Sequence, residues 1–548
     1  METTAVRGGS AEAGRDTITQ PDDVARTKTG RGWRFWVIMV ALGITSLSAA
    51  VESTVTSTAL PLIAEALDAG ELYVWFANAY TLTSTVFLPL FGQVADIFGR
   101  RWLTIGIVSV FALGSGISGG ANSATMLIAG RAVQGIGGGG IILMIEMIVC
   151  DLVSLRDRGK FTSIILGAFG IVSSLGPFIG GAIAENTTWR WVFYINLPIC
   201  GVSASLLFAF LHLNHNRAQS VSHRLRRIDY FGNAILIASV TAVLIALTYG
   251  GTRYSWSEWR VLVPLILGLL GLGAFLLFES SRWCSEPITP PHLFKNRTTV
   301  VAFYLTFIQS LLSYTVLYFL PVYFQAVKLQ NTNRSGILLL PTVAVIIPGG
   351  IIGGFILSKF GVYRSVHLAG FALLAVGIGT FIILDENSTI ALYVSLQILV
   401  GLGSGLLVAV LLPAAQAALS EKDIASSTAT WTFIRTFGTV WGVSIPAAIF
   451  NSRSNDLSNR IDDPSARALI AHGQAYSHAT SKALLDLEAH TRDQIVSVFS
   501  DSLKLVWIVA SVIAVVSFLA VFMEREIVLR DKLETEFGIE ESKNRVKD

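Results

Sequence analysis

Long apolar runs separated by short polar breaks extend along almost the whole chain. Each run has about 20 residues or more, the length that a helix needs to cross a hydrocarbon core about 30 Å thick. The pattern therefore predicts an all-α polytopic membrane protein with 14 transmembrane helices, arranged as six, two and six. The runs lie near 34–62, 73–95, 102–120, 124–150, 161–184, 192–213, 230–250, 260–279, 299–325, 335–358, 365–384, 389–413, 427–450 and 503–523.

The polar breaks divide the chain into five predicted segments. The first 30 residues lack the apolar core of a signal peptide, so we expect membrane insertion to depend on the first membrane helix. The segments are a disordered cytoplasmic tail (1–33), an N-terminal six-helix bundle (34–213), a linker with two extra transmembrane helices (214–298), a C-terminal six-helix bundle with a long outside loop at 451–502 (299–523), and a cytoplasmic tail (524–548).

Basic residues are distributed unevenly among the short loops. If the N-terminus is cytoplasmic, the inside loops carry about fifteen lysines and arginines and the outside loops about five, which agrees with the positive-inside rule. The bias and the even number of spans place both termini in the cytoplasm. We expect the plasma membrane as the location, with the vacuolar membrane as the alternative.

Two short segments of the first half recur in the second half. GQVADIFG at 92–99 resembles GFILSKFG at 354–361, and QGIGGGG at 134–140 resembles VGLGSGL at 400–406. The offset is near 265 residues in both cases. The recurrence predicts two parallel structural repeats, and in transporters built in this way the binding site lies between the repeats.

Composition narrows the function further. Apolar residues make up 52% of the chain and charged residues 14%, and the net charge is +3, so neither a water-soluble surface nor nucleic-acid binding is supported. Cys150, Cys200 and Cys284 form no disulfide framework and no metal-ligand spacing. The sequence also lacks a phosphate-binding glycine loop and a nucleophile–histidine–acid set, so we predict neither an enzyme nor ATP-driven transport.

The loop after the second span reads GQVADIFGRR at 92–101. Gly92 and Gly99 permit close approach and a tight turn, and Asp96 is placed to pair with Arg100 or Arg101 at the membrane face.

Charged residues also occur inside predicted spans, where an unpaired charge is costly. Arg131 lies within AGRAVQGIGGGG, Glu52 lies near the end of the first span, and Glu146 lies near the cytoplasmic end of the fourth. We expect Arg131 to pair with Glu52, because both lie in the outer half of the N-terminal bundle; the alternative is that Arg131 extends to the outer surface. The candidate cavity residues are Gln134, Gln309, Trp431 and Arg435.

The fifth span contains GAFGIVSSLGPFIGG, in which Gly176, Pro177, Gly180 and Gly181 predict a kinked helix that packs closely against a neighbour. Three Asn-x-Ser/Thr sequons fall in predicted outside segments, where their closeness to a span disfavours glycan transfer. The three acceptor residues are Asn186, Asn333 and Asn387.

Taken together, these motifs resemble the major facilitator superfamily, and in particular the fungal members of its 14-helix drug:proton antiporter family. The narrower resemblance also depends on VESTVTSTALPLI at 51–63, EMIVCDLVSLRDRGKF at 146–161, TWRWVFYINLPI at 188–199, LTYGGTRYSW at 247–256 and YFLPVYFQAV at 318–327. Glu52 stands where this family more often has aspartate, and Ser154 stands where it usually has proline.

The resemblance implies proton-coupled efflux of a drug, a toxin or a secondary metabolite by a monomer that needs no cofactor besides the proton gradient. It implies that the 92–101 loop latches one conformation, that the 167–181 motif is an antiporter kink, and that Arg131 takes part in proton coupling. We expect Glu52 to carry the proton and Glu146 to serve the cytoplasmic gate. Two alternatives remain open: proton-coupled uptake of a solute such as a siderophore, and a membrane sensor that does not transport.

Overall fold

The structure of the protein is a computed structural model. It describes residues 32–68, 74–165, 167–169, 172, 183, 187–212, 221–250, 254–282, 284, 286–470, 475–479, 484–485 and 487–530. These residues are almost entirely helical, and no β-strand occurs among them.

Fourteen long helices form the described structure, of which α2 and α3 make one bent span. Their bounds are α1 (Trp33–Ala66), α2 (Val74–Val86), α3 (Leu88–Phe98), α4 (Arg100–Gly119), α5 (Ala124–Leu152), α6 (Asn196–Phe210), α7 (Tyr230–Tyr249), α8 (Trp259–Glu279), α9 (Arg297–Val322), α10 (Thr332–Phe360), α11 (Arg364–Thr380), α12 (Ile390–Gln416), α13 (Ile424–Leu457) and α14 (Ala489–Val521).

Shorter helical pieces connect or extend these helices. A π-helical turn at Tyr323–Val327 continues α9. The remaining pieces are Trp191–Tyr194, Val221–Arg226, Pro291–Phe294, Phe381–Ile383, Glu421–Asp423, Ser458–Arg460, Pro464–Ile470 and Ala475–His478.

Twelve of the described helices are long and apolar enough to cross a membrane, and the bent pair makes a thirteenth. The bend between α2 and α3 is 43° and coincides with Pro89 in the first turn of α3, where proline cannot donate the backbone hydrogen bond that would continue α2. The remaining predicted span, near 161–184, lies mostly outside the described residues. The all-α membrane fold is therefore confirmed, whereas the count of 14 spans stays a prediction.

Local sequence sets many of the helix ends. Ser123, Asp229, Asn296, Asn331 and Thr389 cap the starts of α5, α7, α9, α10 and α12 by accepting a backbone N–H. Such caps satisfy donors that have no partner within the helix. Two helices extend into the predicted outside loop at 451–502, since α13 continues to Leu457 and α14 begins at Ala489.

The described helices pack into two groups with separate apolar cores. In the first group α1 packs on α6, and α5 packs on both α2 and α4. In the second group α10 and α11 pack on α12, and α9 packs on α13. We call these groups the N-terminal half and the C-terminal half, and the side that carries most of the basic loops the inner side.

Helices α7 and α8 form a hairpin against the outside of this assembly. Polar contacts tie α7 to the N-terminal half at both ends: Trp75 Nε1 donates to Tyr249 Oη at 2.9 Å, and Asn233 Nδ2 donates to Gln93 Oε1 at 3.2 Å. The contact of the hairpin with the C-terminal half includes Phe433 and Phe437 of α13, which pack against its apolar core.

The first seven residues of the predicted C-terminal tail pack against the C-terminal half. Residues 524–530 lie along the inner face of the C-terminal half, where Glu524 Oε2 is 2.8 Å from His367 Nδ1 and Glu526 accepts from the backbone N–H of Tyr363. Both side chains of the His367–Glu524 pair are fully buried. These contacts attach the start of the predicted tail to the first turn of α11.

Candidate functional site

The buried charges of the N-terminal half form one hydrogen-bonded cluster around Glu52. Arg131 Nη1 on α5 forms an ion pair with Glu52 Oε1 on α1. Gln134 Nε2 and Asn196 Nδ2 donate to the other carboxylate oxygen, at 2.5 and 2.8 Å. All four side chains are buried, with 3% exposure or less. We call this set of residues the Glu52 cluster.

Additional contacts fix the position of Arg131. Its Nε donates to the carbonyl of Phe76 at 2.6 Å, its Nη1 donates to Gln134 Oε1 at 2.8 Å, and its guanidinium lies 4.6 Å from the ring centre of Tyr80. The arginine therefore faces the interior of the half, and it does not extend to the outer surface. A buried charge that is paired and hydrogen-bonded in this way avoids most of its desolvation cost.

A second buried acid connects the two halves. Glu146 on α5 accepts from Arg435 Nη2 on α13 at 2.7 Å, and its other oxygen accepts a hydrogen bond from Thr432 Oγ1. The Arg435 guanidinium also lies 4.6 Å from the ring centre of Trp431. This ion pair breaks if the halves separate at this depth, whereas the Glu52 cluster lies entirely within one half.

Further polar contacts close the inner side below Glu146. Arg158 is 1% exposed; its Nη1 donates to Gln416 Oε1 of α12 at 2.7 Å, and its Nη2 donates to the carbonyl of Cys150 at 2.7 Å. Arg156 donates to the carbonyls of Ser358 and Lys359 at 2.6 Å each. The inner ends of the two halves are therefore in contact, and we call this contact the inner gate.

The repeated glycine motif lies at the inner gate in both halves. A Cβ atom on Gly92 would lie 2.2 Å from Ala429 Cβ of α13, and one on Gly354 would lie 2.8 Å from the backbone of Gly159 and Lys160. Both separations are shorter than van der Waals contact, so only glycine permits the halves to approach this closely. The internal repeat thus corresponds to two symmetry-related contacts between the halves.

The predicted latch residues surround a buried ion pair. Arg100 Nε donates to Asp151 Oδ2 at 2.9 Å, and its contact with Asp96 is longer, at 3.5 Å. Gly99 forms the turn between α3 and α4 with φ 87°, and Arg101 donates to the carbonyl of Phe208 at 2.7 Å. Asp151 was not predicted as the partner of Arg100, although it lies in the same segment as Glu146, at 146–161.

The candidate cavity residues are mostly enclosed in this conformation. Gln134 belongs to the Glu52 cluster, Gln309 donates to Ser313 Oγ at 3.0 Å, and Trp431 is 1% exposed. The Arg435 side chain keeps 17% exposure. Sequence reasoning missed Arg158 and Gln416, which a search for polar residues at matching depth in the two repeats could have found.

Several predicted sites lie outside the described residues. These include the kink residues Gly176, Pro177, Gly180 and Gly181, the sequon residue Asn186, and the side chain of Asn333. Asn387 is described, and it is exposed in the turn before α12, where its backbone N–H donates to Asp385 Oδ1 at 2.9 Å.

Gly92→Ala is expected to open the inner gate. The added methyl group would overlap Ala429, so the gate would loosen and Cys150, which is 1% exposed beside Gln416 and Thr428, would react faster with a maleimide in a Cys200→Ser, Cys284→Ser background. Ala429→Gly should restore slow labelling in the double variant. Gly106→Ala is the control, because nothing lies within 4 Å of its Cβ. Equal labelling of Gly92→Ala and Gly106→Ala would contradict this interpretation.

Comparisons with known proteins agree with the geometry. The family model of the major facilitator superfamily matches residues 42–443. The MFS efflux transporter aclA of Aspergillus oryzae is 48% identical over 528 residues, covering 96% of this chain and 95% of that protein. The MFS-type efflux pump LUC4 of Fusarium is 43% identical over 546 residues, covering 99% and 97%.

Solved structures show the same fold at low sequence identity. The proton:xylose symporter XylE, a major facilitator superfamily protein, aligns with a TM-score of 0.58 at 13% identity, covering 91% of this chain and 98% of that one. The human organic anion transporter MFSD10 aligns with a TM-score of 0.57 at 14% identity, covering 90% and 100%. The chain therefore belongs to the major facilitator superfamily and is a multi-pass membrane transporter similar to fungal efflux pumps, not an enzyme.

Proposed function

We propose that this protein exports a small organic molecule, such as a drug, a toxin or a fungal secondary metabolite, in exchange for protons. The observation that carries the proposal is the buried Glu146–Arg435 ion pair, which joins the two halves above a closed inner gate. Protonation of Glu146 removes its charge and weakens this contact. The closed and open states therefore bind a proton with different affinities, and this difference is what couples proton movement to substrate transport.

The Glu52 cluster supplies the second element of the proposal. Glu52 is buried in the same half as Glu146, and Arg131, Gln134 and Asn196 all donate to its carboxylate. We propose that Glu52 carries the transported proton and that Arg131 sets its proton affinity. Arg131 and Glu52 lie on different helices, α5 and α1, so a movement of one helix against the other would change this ion pair.

The same pair suggests a transport cycle. With Glu146 charged, the inner gate is held closed. When Glu146 is neutral, Arg435 loses its counter-charge and the gate opens toward the cytoplasm, where substrate enters and the proton leaves. The latch residues Gly92, Asp96, Gly99, Arg100 and Arg101 serve as part of this gate. The hairpin of α7 and α8 moves with the N-terminal half, to which polar contacts tie both of its ends.

Relatives give the direction of transport that we propose. Two fungal relatives that match nearly the full length of the chain are named as an efflux transporter and an efflux pump. We propose the plasma membrane as the location.

Transport in reconstituted vesicles tests the function. Vesicles in which the inner side of the protein faces outward should accumulate candidate compounds when the lumen is acidic, because protons leaving the lumen would drive substrate in. A protonophore should abolish the accumulation, and vesicles without protein are the control. Proton symport would instead drive substrate out of the acidic lumen, and binding without movement of any compound would favour the sensor alternative.

A further inference from the structure

Three potential metal-ligand side chains meet at the inner end of the α7–α8 hairpin. Asp229 immediately precedes α7, Glu279 is the last residue of α8, and Cys284 follows in the connecting segment. One potential ligand atom from each of the three lies within 4.8 Å of the other two. The spacing of the cysteines did not predict this site, because only the folded hairpin brings Asp229 next to Glu279 and Cys284.

The distance between two of these atoms matches metal coordination. Cys284 Sγ lies 3.5 Å from Asp229 Oδ2. Tetrahedral zinc with Zn–S near 2.3 Å and Zn–O near 2.0 Å separates its sulfur and oxygen ligands by about 3.5 Å. Asp229 is also held in place, because its Oδ1 accepts the backbone N–H of Gly232 at 2.9 Å and leaves Oδ2 directed toward the thiol.

Glu279 provides an independent indication of a ligand. Its side chain is buried, and its Oε2 accepts the backbone N–H of Thr289 at 3.0 Å. Its Oε1 has no hydrogen-bond donor within the part of the chain that the structure describes. This oxygen and Asp229 Oδ2 point to one place: a Cβ built on Gly232 would lie 2.9 Å from the first and 2.0 Å from the second.

The charge balance at this place also favours a cation. Over the described ranges, neither Asp229 nor Glu279 forms a salt bridge with a lysine or an arginine. Arg227 is the nearest arginine along the chain, and its Nε binds Glu286 at 2.5 Å. Two carboxylates in contact without a cation repel each other, and a bound divalent ion would compensate for both.

We propose that Asp229, Glu279 and Cys284 form a binding site for Zn²⁺ or a similar transition-metal ion, with a fourth position for water. A set of two oxygens and one sulfur suits borderline-soft metals and not Mg²⁺ or Ca²⁺. The ion joins the start of α7 to the end of α8, next to the point where Gln93 of the N-terminal half contacts Asn233. The site thus stabilises the inner end of the hairpin and lies apart from the Glu52 cluster.

Cobalt binding to the full-length detergent-solubilised protein tests the site. After treatment with a chelator and its removal, titration with Co²⁺ should produce a thiolate-to-cobalt absorption band that saturates at one ion per chain. The Cys150→Ser, Cys200→Ser variant should keep the band, because both cysteines are buried elsewhere. The Cys284→Ser variant should lose it.

Separate measurements test the two carboxylate ligands and the effect of the bound ion on the stability of the protein. Glu279→Gln and Asp229→Asn should each weaken Co²⁺ binding at least tenfold, and Zn²⁺ should raise the melting temperature of the unmodified protein but not that of Cys284→Ser. Size-exclusion profiles show whether each variant is folded. The proposal is overturned if the unmodified protein gives no band, or if Cys284→Ser binds Co²⁺ as well as the unmodified protein does. The proposal is also overturned if Zn²⁺ does not change the melting temperature of the unmodified protein. That result would indicate that the Asp229 and Glu279 carboxyls share a proton.

Discussion

Replacing Glu52 by glutamine is expected to abolish export driven by a pH gradient while leaving substrate binding largely intact. Glutamine keeps the shape of protonated glutamate but cannot release a proton, so the step that couples transport to the gradient is lost. Exchange of labelled for unlabelled substrate needs no net proton movement and should continue. Proteoliposomes with and without a pH gradient measure both activities.

The Glu52 cluster can accommodate this substitution. Asn196 Oδ1 has no hydrogen-bond partner among the described residues, so rotation of the Asn196 amide lets it accept from the new glutamine. Gln134 Nε2 loses its contact with position 52 but keeps its hydrogen bond to Ser115 Oγ at 2.8 Å. The glutamine oxygen can still accept from Arg131.

A matched control separates a specific effect from a general one. Glu488 is exposed before α14 and makes no capping hydrogen bond, so Glu488→Gln should leave transport unchanged. If Glu52→Gln still concentrates substrate against its gradient, Glu52 does not carry the proton. Loss of exchange together with loss of coupling would show instead that Glu52 shapes the binding cavity.

Replacing Glu146 by glutamine is expected to shift the protein toward the state that is open to the cytoplasm. The substitution leaves Arg435 without its counter-charge between the two halves, and removal of one partner of a buried ion pair is strongly destabilising. With Cys150 as the single remaining cysteine, maleimide labelling should accelerate about tenfold or more, which corresponds to ~1.4 kcal/mol. Transport should fall, because the closed state is less populated.

Glu52→Gln is the comparison variant for this experiment. Its ion pair lies within the N-terminal half, so it should change Cys150 labelling little while it removes coupling. The two substitutions should therefore both lower transport, but only Glu146→Gln should accelerate the labelling of Cys150. Unchanged labelling in Glu146→Gln would mean that the Glu146–Arg435 contact does not hold the gate closed, and it would remove the main support for the proposed coupling.

The depth of the charged residues in the sequence predicted the contact between Arg131 and Glu52. It predicted where Glu146 lies along its helix, but it did not identify the partner of Glu146. Arg131 and Glu52 occupy similar depths in the same predicted bundle, and the structure pairs them. Glu146 was placed near the inner end of its helix, yet its partner Arg435 lies 289 positions along the chain in the other repeat. No local pattern identifies such a partner, because it depends on how the two halves pack.

The latch motif shows the same limit. Its spacing indicated that Asp96 pairs with a following arginine, and Arg100 does contact Asp96, but its shorter contact is with Asp151 at the inner end of α5. In the sequence, the repeat GQVADIFG/GFILSKFG appeared only as two glycines with the same spacing in each half. The close contacts of Gly92 and Gly354 across the inner gate became apparent only from the packing.

The sequence alone determined that the chain is an all-α membrane protein, its family resemblance and most of its spans. The fold class and the spans follow from the length and apolar character of single segments, because a helix in lipid must satisfy its backbone hydrogen bonds within the segment. The family resemblance follows from short motifs within those segments. Only the tertiary structure decided that Glu146 pairs with Arg435 of the other half and how the inner gate closes. It alone also brought Asp229, Glu279 and Cys284 together. These contacts connect residues far apart in sequence, and their free energy depends on distances that only the packed helices fix.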